Sequence, residues 1–191
     1  MSFEWTAHRF SGGLLALDLV NTVVCRGQPA RRADRFSDAE NVKPFCEAAG
    51  HFRSEEVGRK TISEPDRLNR LVDLREAIND WIRPVAEGGE ASALALGRLF
   101  DAAASCMRET SLAEDAVPLG HAAATSAMKL FSEELKQRVK ICPNCAWLFI
   151  DRSKNRSRVW CDMQVCGNRA KAGKYYRRSK GGAGALKETR P

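Results

Sequence analysis

Seven cysteines are spread unevenly along this 191-residue chain, and four of them dominate what it can fold into. They form Cys142-x2-Cys145-x15-Cys161-x4-Cys166, two close pairs separated by a short segment. In a reducing compartment, paired thiols at this spacing point to a zinc site rather than a disulfide framework. Zn2+ takes four tetrahedral ligands, with sulfur at about 2.3 Å. A tight Cys142-Pro143-Asn144-Cys145 turn aims two thiolates at one ion, and the second pair closes the shell. The alternative is four unligated thiols. Cys25, Cys46 and Cys106 stand alone and read as small core residues.

Charge follows the same division. Residues 1–135 hold 16 Lys/Arg against 21 Asp/Glu, a net of −5, whereas residues 136–191 hold 15 against 3, a net of +12. A basic end of this kind points to a polyanion, either nucleic acid or a membrane surface. No apolar stretch is long enough to span a bilayer, since Gly13 to Cys25 is interrupted by Asp18 and Asn21. The N-terminus has no basic segment followed by an apolar one, so a cytoplasmic location is expected. Hydrophobic residues at 43% and charged residues at 29% fit a globular chain.

The spacing predicts a helix over 13–25, apolar around most of its circumference, with Asp18, Asn21 and Thr22 sharing the remaining stripe. A carboxylate and an amide there imply either a buried ion pair, with Arg75 as the partner, or the floor of a small-ligand pocket formed by Asp18, Asn21, Thr22 and Arg75. Residues 27–36 read as a loop. Ser37-Asp38-Ala39-Glu40 resembles a capping box opening a helix to Ala49, with Pro44 in the first turn if Asn41 is the cap. A stronger helix is expected from Ser63 to Pro84, another over 91–104, short strands over 106–112 and 116–119, and a helix over 121–139. In the cysteine segment, Trp147 to Ile150 and Val159-Trp160 read as strands flanking a basic turn, and a last helix runs from about Gly167 to Ser179. The Gly-rich residues 181–191 form a tail.

Knuckle, hairpin, second cysteine pair and helix outline a treble-clef finger. The run Cys166-Gly167-Asn168-Arg169, after a C-x2-C and the Trp160-Cys161 pair, resembles the CGNR zinc finger. Upstream, Leu17-Asp18-Leu19-Val20-Asn21-Thr22 and Leu74-Arg75 resemble the ABATE domain that precedes this finger. The resemblance implies a division into 1–138 (ABATE-like), 139–180 (finger) and 181–191 (tail). The fold class is α+β and mostly helical, with a small β element in the N-terminal part. The resemblance further implies one structural zinc on Cys142, Cys145, Cys161 and Cys166, DNA as the partner, and a stress-induced transcription regulator.

The residues add detail of their own. On a last helix at 100° per residue, Lys171, Lys174 and Arg178 fall within about 60° of one another and form a cationic ridge. Ala172, Tyr175 and Tyr176 lie on another face, expected to point inward. Arg169 lies off the ridge and reads either as a DNA contact or as a structural group; Asn168 reads as structural. Arg152, Lys154, Arg156 and Arg158 alternate with Ser153, Asn155 and Ser157, a pattern suited to phosphate. The basic helix has no large apolar face for a membrane. His8, His51 and His121 have no motif context, nucleotide-binding glycine motifs are absent, and a shell of four cysteines leaves no open position for water, so no enzyme is expected. The leading function is a DNA-binding regulator whose N-terminal domain senses a small-molecule effector. The alternatives are an RNA-binding protein using the same finger, and a small-molecule-binding domain stapled by zinc. A homodimer would enlarge the base readout that one finger offers.

Overall fold

The computed structural model describes residues 3–173 other than 59, 66 and 110–112, together with 175 and 176. Helices dominate, and three two-stranded sheets join them. Among the described residues no helix is long and apolar enough to cross a membrane.

At the centre lies α1 (Leu15–Val20), six residues buried on every side. A six-residue helix, apolar but for Asp18, is stable only inside a core. Its free N-terminal N–H groups are therefore satisfied by distant side chains: Leu15 N–H donates to Glu56 Oε1 at 2.7 Å and Ala16 N–H to Ser126 Oγ at 3.0 Å. The helix expected over 13–25 is thus much shorter. Thr22 Oγ1 bonds back to the Leu19 carbonyl, and β-branched Val23-Val24 form β1 (Val23–Val24), antiparallel to β2 (Ala33–Asp34) within the expected loop.

Asp38 caps the turn Ala39–Asn41, and α2 (Val42–Phe52) follows with Pro44 in its first turn. Asn41 precedes α2 without capping it, because its amide donates to the Arg35 carbonyl. The helix runs past Gly50, which lets Phe52 pack on Phe10 and delivers Arg53 to the core. The short α3 (Ser54–Val57) comes next. Ser63 does not cap a helix; it ends β3 (Thr61–Ser63), and α4 (Leu68–Ala86) begins beyond it, continuing past Pro84 to stop before Gly88 at φ +88°. Ser92 caps α5 (Ala93–Met107). Cys106 is therefore helical rather than the start of a strand, since it continues the buried face of Leu99 and Ala103; residues 110–112 of the expected strand lie outside the described residues. β4 (Ala116–Pro118) pairs in parallel with β3. The helix expected over 121–139 is divided into α6 (Leu119–Met128), a 3-10 turn and α7 (Glu133–Lys136), freeing β5 (Val139–Ile141) to pair with β6 (Leu148–Ile150).

β6 ties the two ends of the protein together. Its side chains alternate across the strand. Leu148 and Ile150 belong to the main core, whereas Trp147 and Phe149 join Cys142, Cys145, Cys161 and Cys166 in a second cluster.

Candidate metal centre and basic face

β5 and β6 are the two arms of a hairpin with the first cysteine pair at its tip. Cys142 N–H donates to the Trp147 carbonyl at 2.8 Å, and Ala146, at φ +60°, closes the turn by donating to the Cys142 carbonyl. The second pair arrives from the other side. Val159-Trp160 is not a strand, because β6 takes β5 as its partner. Cys166 lies in the wide turn Met163–Gly167 that opens the last helix, described over residues 168–173. Asp162 caps that turn through the Val165 N–H.

All four cysteines are buried, and their sulfur atoms lie within 4.8 Å of one another. Cys161 Sγ stands 3.6 Å from the sulfurs of both Cys145 and Cys166. A tetrahedral ion with sulfur at about 2.3 Å sets ligand atoms about 3.8 Å apart, so the donor set fits one structural zinc. The Asn144 amide donates to Cys166 Sγ at 3.3 Å. Such outer bonds orient thiolate ligands; the sequence reading did not single out Asn144. Cys25, Cys46 and Cys106 are buried singly, and burial pushes the Cys46 and Cys106 thiols up to about 12 and about 11. They are inert packing groups.

The polar stripe of α1 is consumed within the protein. Asp18 pairs with Arg53, not Arg75: Nε donates to Oδ2 at 2.6 Å while Gly12 N–H donates to Oδ1 at 2.9 Å. Burial pushes the Asp18 carboxyl up to about 7, against the pull of Arg53 and Gly12. Arg75 instead makes a bidentate pair with Asp34, at 2.8 and 2.7 Å, and reaches Thr22 Oγ1 and Glu76. Burial would raise Asp34 and Glu76, yet their arginine partners hold both carboxyls below their ordinary values. Asn21 faces the finger: its Nδ2 donates to the Leu148 carbonyl at 2.8 Å and its Oδ1 accepts from Leu148 N–H at 2.9 Å. Gly12 carbonyl accepts from Ile150 N–H, and Cys25 N–H donates to the Cys145 carbonyl. Arg83 Nη2 donates to the Ala146 carbonyl. The finger is thereby bonded to α1, β1 and α4.

The basic loop after β6 is organised by Asp151, wholly buried and not foreseen from sequence. Asp151 accepts from Ser153 N–H and Oγ, Arg158 N–H and Lys140 Nζ. Burial alone would raise its pKa, but these donors hold the carboxyl well below the usual carboxylate range. Of the loop cations, Arg158 is engaged structurally, donating to the Trp160 and Cys161 carbonyls with its guanidinium over Phe149. Arg152 donates to the Gly13 carbonyl at 3.0 Å. Lys154 and Arg156 are exposed, and no described residue takes their side-chain charge. Arg169 and Lys171 are exposed on the last helix, as is Asn168. Lys174 and Arg178 lie outside the described residues. Tyr175 and Tyr176 are exposed rather than turned inward, as is Ala172; Ala170 and Gly173 are the partly covered positions of this helix.

Compared with known families, residues 138–179 match the family model for the CGNR zinc finger. Residues 13–141 match the ABATE model, described as "Putative stress-induced transcription regulator". No curated protein matches the chain.

Proposed function

We propose that this chain, which belongs to the ABATE family and carries a C-terminal CGNR zinc finger, is a DNA-binding, non-catalytic transcription regulator. The observation that carries this reading is the set of uncommitted cations on the finger. Lys154, Arg156, Arg169 and Lys171 are exposed and have no carboxylate partner among the described residues, while nearly every cation of the core is paired or bonded. Asp151 fixes the loop that presents two of them, so the entropy of ordering those groups on a phosphate backbone is reduced in advance. Cys142, Cys145, Cys161 and Cys166 would hold the zinc, which would tie the start of the last helix to the turn at the tip of the β5–β6 hairpin.

A small effector acting on the N-terminal domain is the second part of this reading. A cavity of about 170 Å³ lies between α3 and α6, with Glu56, Lys60, His121, Thr125, Ser126 and Lys129 among its walls. Glu56 binds Lys129 and the Leu15 N–H, and α1 leads through Asp18 and Gly12 to Ile150 of the finger strand. An effector that displaced Glu56 would act on bonds that end at the finger.

Titration of labelled duplex DNA and RNA at several salt concentrations tests the main reading. Lys154, Arg156 and Lys171 changed together to Ala should lower the log–log salt slope on duplex DNA by about 2.7, at about 0.9 per phosphate contact. Zinc content should stay unchanged. An unchanged slope and affinity would make the finger a structural staple, and tighter binding to RNA would exchange one partner for the other.

A further inference from the structure

Two guanidinium groups of the N-terminal domain share one aromatic ring, and one of them reaches the finger. Arg9, in the turn Ala7–Phe10, and Arg35, in the turn Arg35–Ser37, both lean on the Phe3 ring, with Cζ 4.8 and 4.3 Å from its centroid. Arg9 also lies over Trp147 of the finger at 5.8 Å. Both arginines are half-buried. Arg35 Nε is removed from solvent and has no hydrogen-bond partner among the described residues. Among the described residues no carboxylate pairs with either group, in contrast to Arg26, Arg53 and Arg75. Arg169 of the last helix is close enough for its charge to act on both Arg9 and His8. The Arg9 pKa is lowered, first by burial and then by repulsion from Arg35 and Arg169.

Half-burying like charges side by side is unfavourable unless something compensates. A cation–π contact supplies about 0.5–1 kcal/mol at an exposed site, which does not replace an anion. The thiolates of Cys145 and Cys166 also attract Arg9, but they are committed to the metal rather than paired with this guanidinium. The cleft that Arg35 lines also carries Asp34, Asp38 and Glu40; Asp34 is taken by Arg75, and the other two bound the cationic surface on that side. What remains is a pair of planar guanidinium groups on one aromatic ring, one of them against Trp147 of the finger, with Arg169, on the same helix as Lys171, close enough to act on Arg9. Planar forks of this kind match phosphate oxygens in pairs.

We propose that Arg9, Arg35 and Arg169 form a phosphate-binding notch through which the N-terminal domain grips the backbone of the nucleic acid held by the finger. This rests on the nucleic-acid reading above and extends it: the interface crosses both domains, and phosphate contacts from the notch would set the finger's orientation on the duplex.

The test uses the full zinc-loaded chain with Arg9→Ala/Arg35→Ala and, as a charge-preserving control, Arg9→Lys/Arg35→Lys. On duplex DNA the Ala pair should lower the log–log salt slope by about 1.8, for two contacts at about 0.9 each. The Lys pair should keep most of the parent slope, and metal analysis should give the same zinc content for all three proteins. Thermal unfolding in inorganic phosphate gives a readout free of DNA: phosphate should raise the Tm of the parent more than that of the Ala pair. An Ala pair with the parent's slope and the parent's phosphate response, or one that loses zinc, overturns the notch. If the Ala pair keeps its slope while the Lys154/Arg156/Lys171 variant loses its own, only the notch fails. If neither variant changes the slope but the phosphate response disappears in the Ala pair, the notch stands as an anion site and the DNA reading fails.

Discussion

Asn21→Leu is the perturbation that most directly probes how the finger is joined to the rest of the protein. β6 has two edges. One pairs with β5, and on the other Leu148 N–H and C=O meet the Asn21 amide, at 2.9 and 2.8 Å. Asn21 thus acts as a one-residue strand. Asn21 is 3% exposed and Leu148 wholly buried, so water does not replace these bonds. A leucine fills similar space and leaves one buried donor and one buried acceptor unmatched. At about 1–3 kcal/mol per group the loss is about 2–6 kcal/mol, a large share of the ~5–15 kcal/mol that stabilises an ordinary domain. Urea unfolding followed by circular dichroism should show this as a lower midpoint with a similar slope, and zinc should pass to a chelator faster because β6 carries the knuckle. Asn21→Asp should cost nearly as much at about pH 8, where a carboxylate oxygen faces the Leu148 carbonyl. Its deficit should shrink as pH falls and the acid regains a donor. If Asn21→Leu lies within about 0.5 kcal/mol of the parent, the size of an ordinary surface change, the edge-pairing argument is wrong.

Other outcomes follow from the same contacts. Asp18 is raised from 3.8 to about 7 in the fold, so between those values the folded state holds a proton that the unfolded chain has released, and stability should fall as pH rises across this window. Asp18→Asn should remove that decline, and urea midpoints taken from about pH 4 to about pH 8 check it. Asp151 acts in the opposite direction: with its folded pKa depressed, its contribution is present above about pH 4 and lost as pH falls further, and Asp151→Asn should flatten that acid loss. Gly12→Ala would place a methyl 2.7 Å from Asp18 Oδ1 and 2.9 Å from Leu17 Cβ, and should lower stability by about 1–3 kcal/mol or more, read as a fall in Tm. Metal analysis should give one zinc per chain, lost in Cys166→Ser. Because β6 belongs to both clusters, chelation should weaken the main core too, with near-ultraviolet signals from Trp147 and Trp81 changing together.

The zinc ligands were legible in the sequence because metal coordination needs particular atoms at particular chain spacings, and Cys142, Cys145, Cys161 and Cys166 satisfy that locally. The charge division between the two ends was equally plain, since formal charge does not depend on the fold. The mostly helical class with small sheets could be read from periodicity. Partners were another matter. Asp18 and Arg75 stood out as charges in apolar surroundings, but their counter-ions are Arg53 and Asp34, each over thirty residues away and without any local signal. The reach of α1 also depended on tertiary context: an apolar run continues as a helix only until a competing bond ends it, and here Asn21 is claimed by Leu148. Which strand pairs with β6, and whether Arg158 serves a phosphate or the carbonyls of Trp160 and Cys161, turn on short-range contacts, but the backbone geometry that makes those contacts is fixed by the packed cysteine cluster. Sequence determines which groups must find partners, because burial without one is costly; only the packed structure decides which partner each one meets.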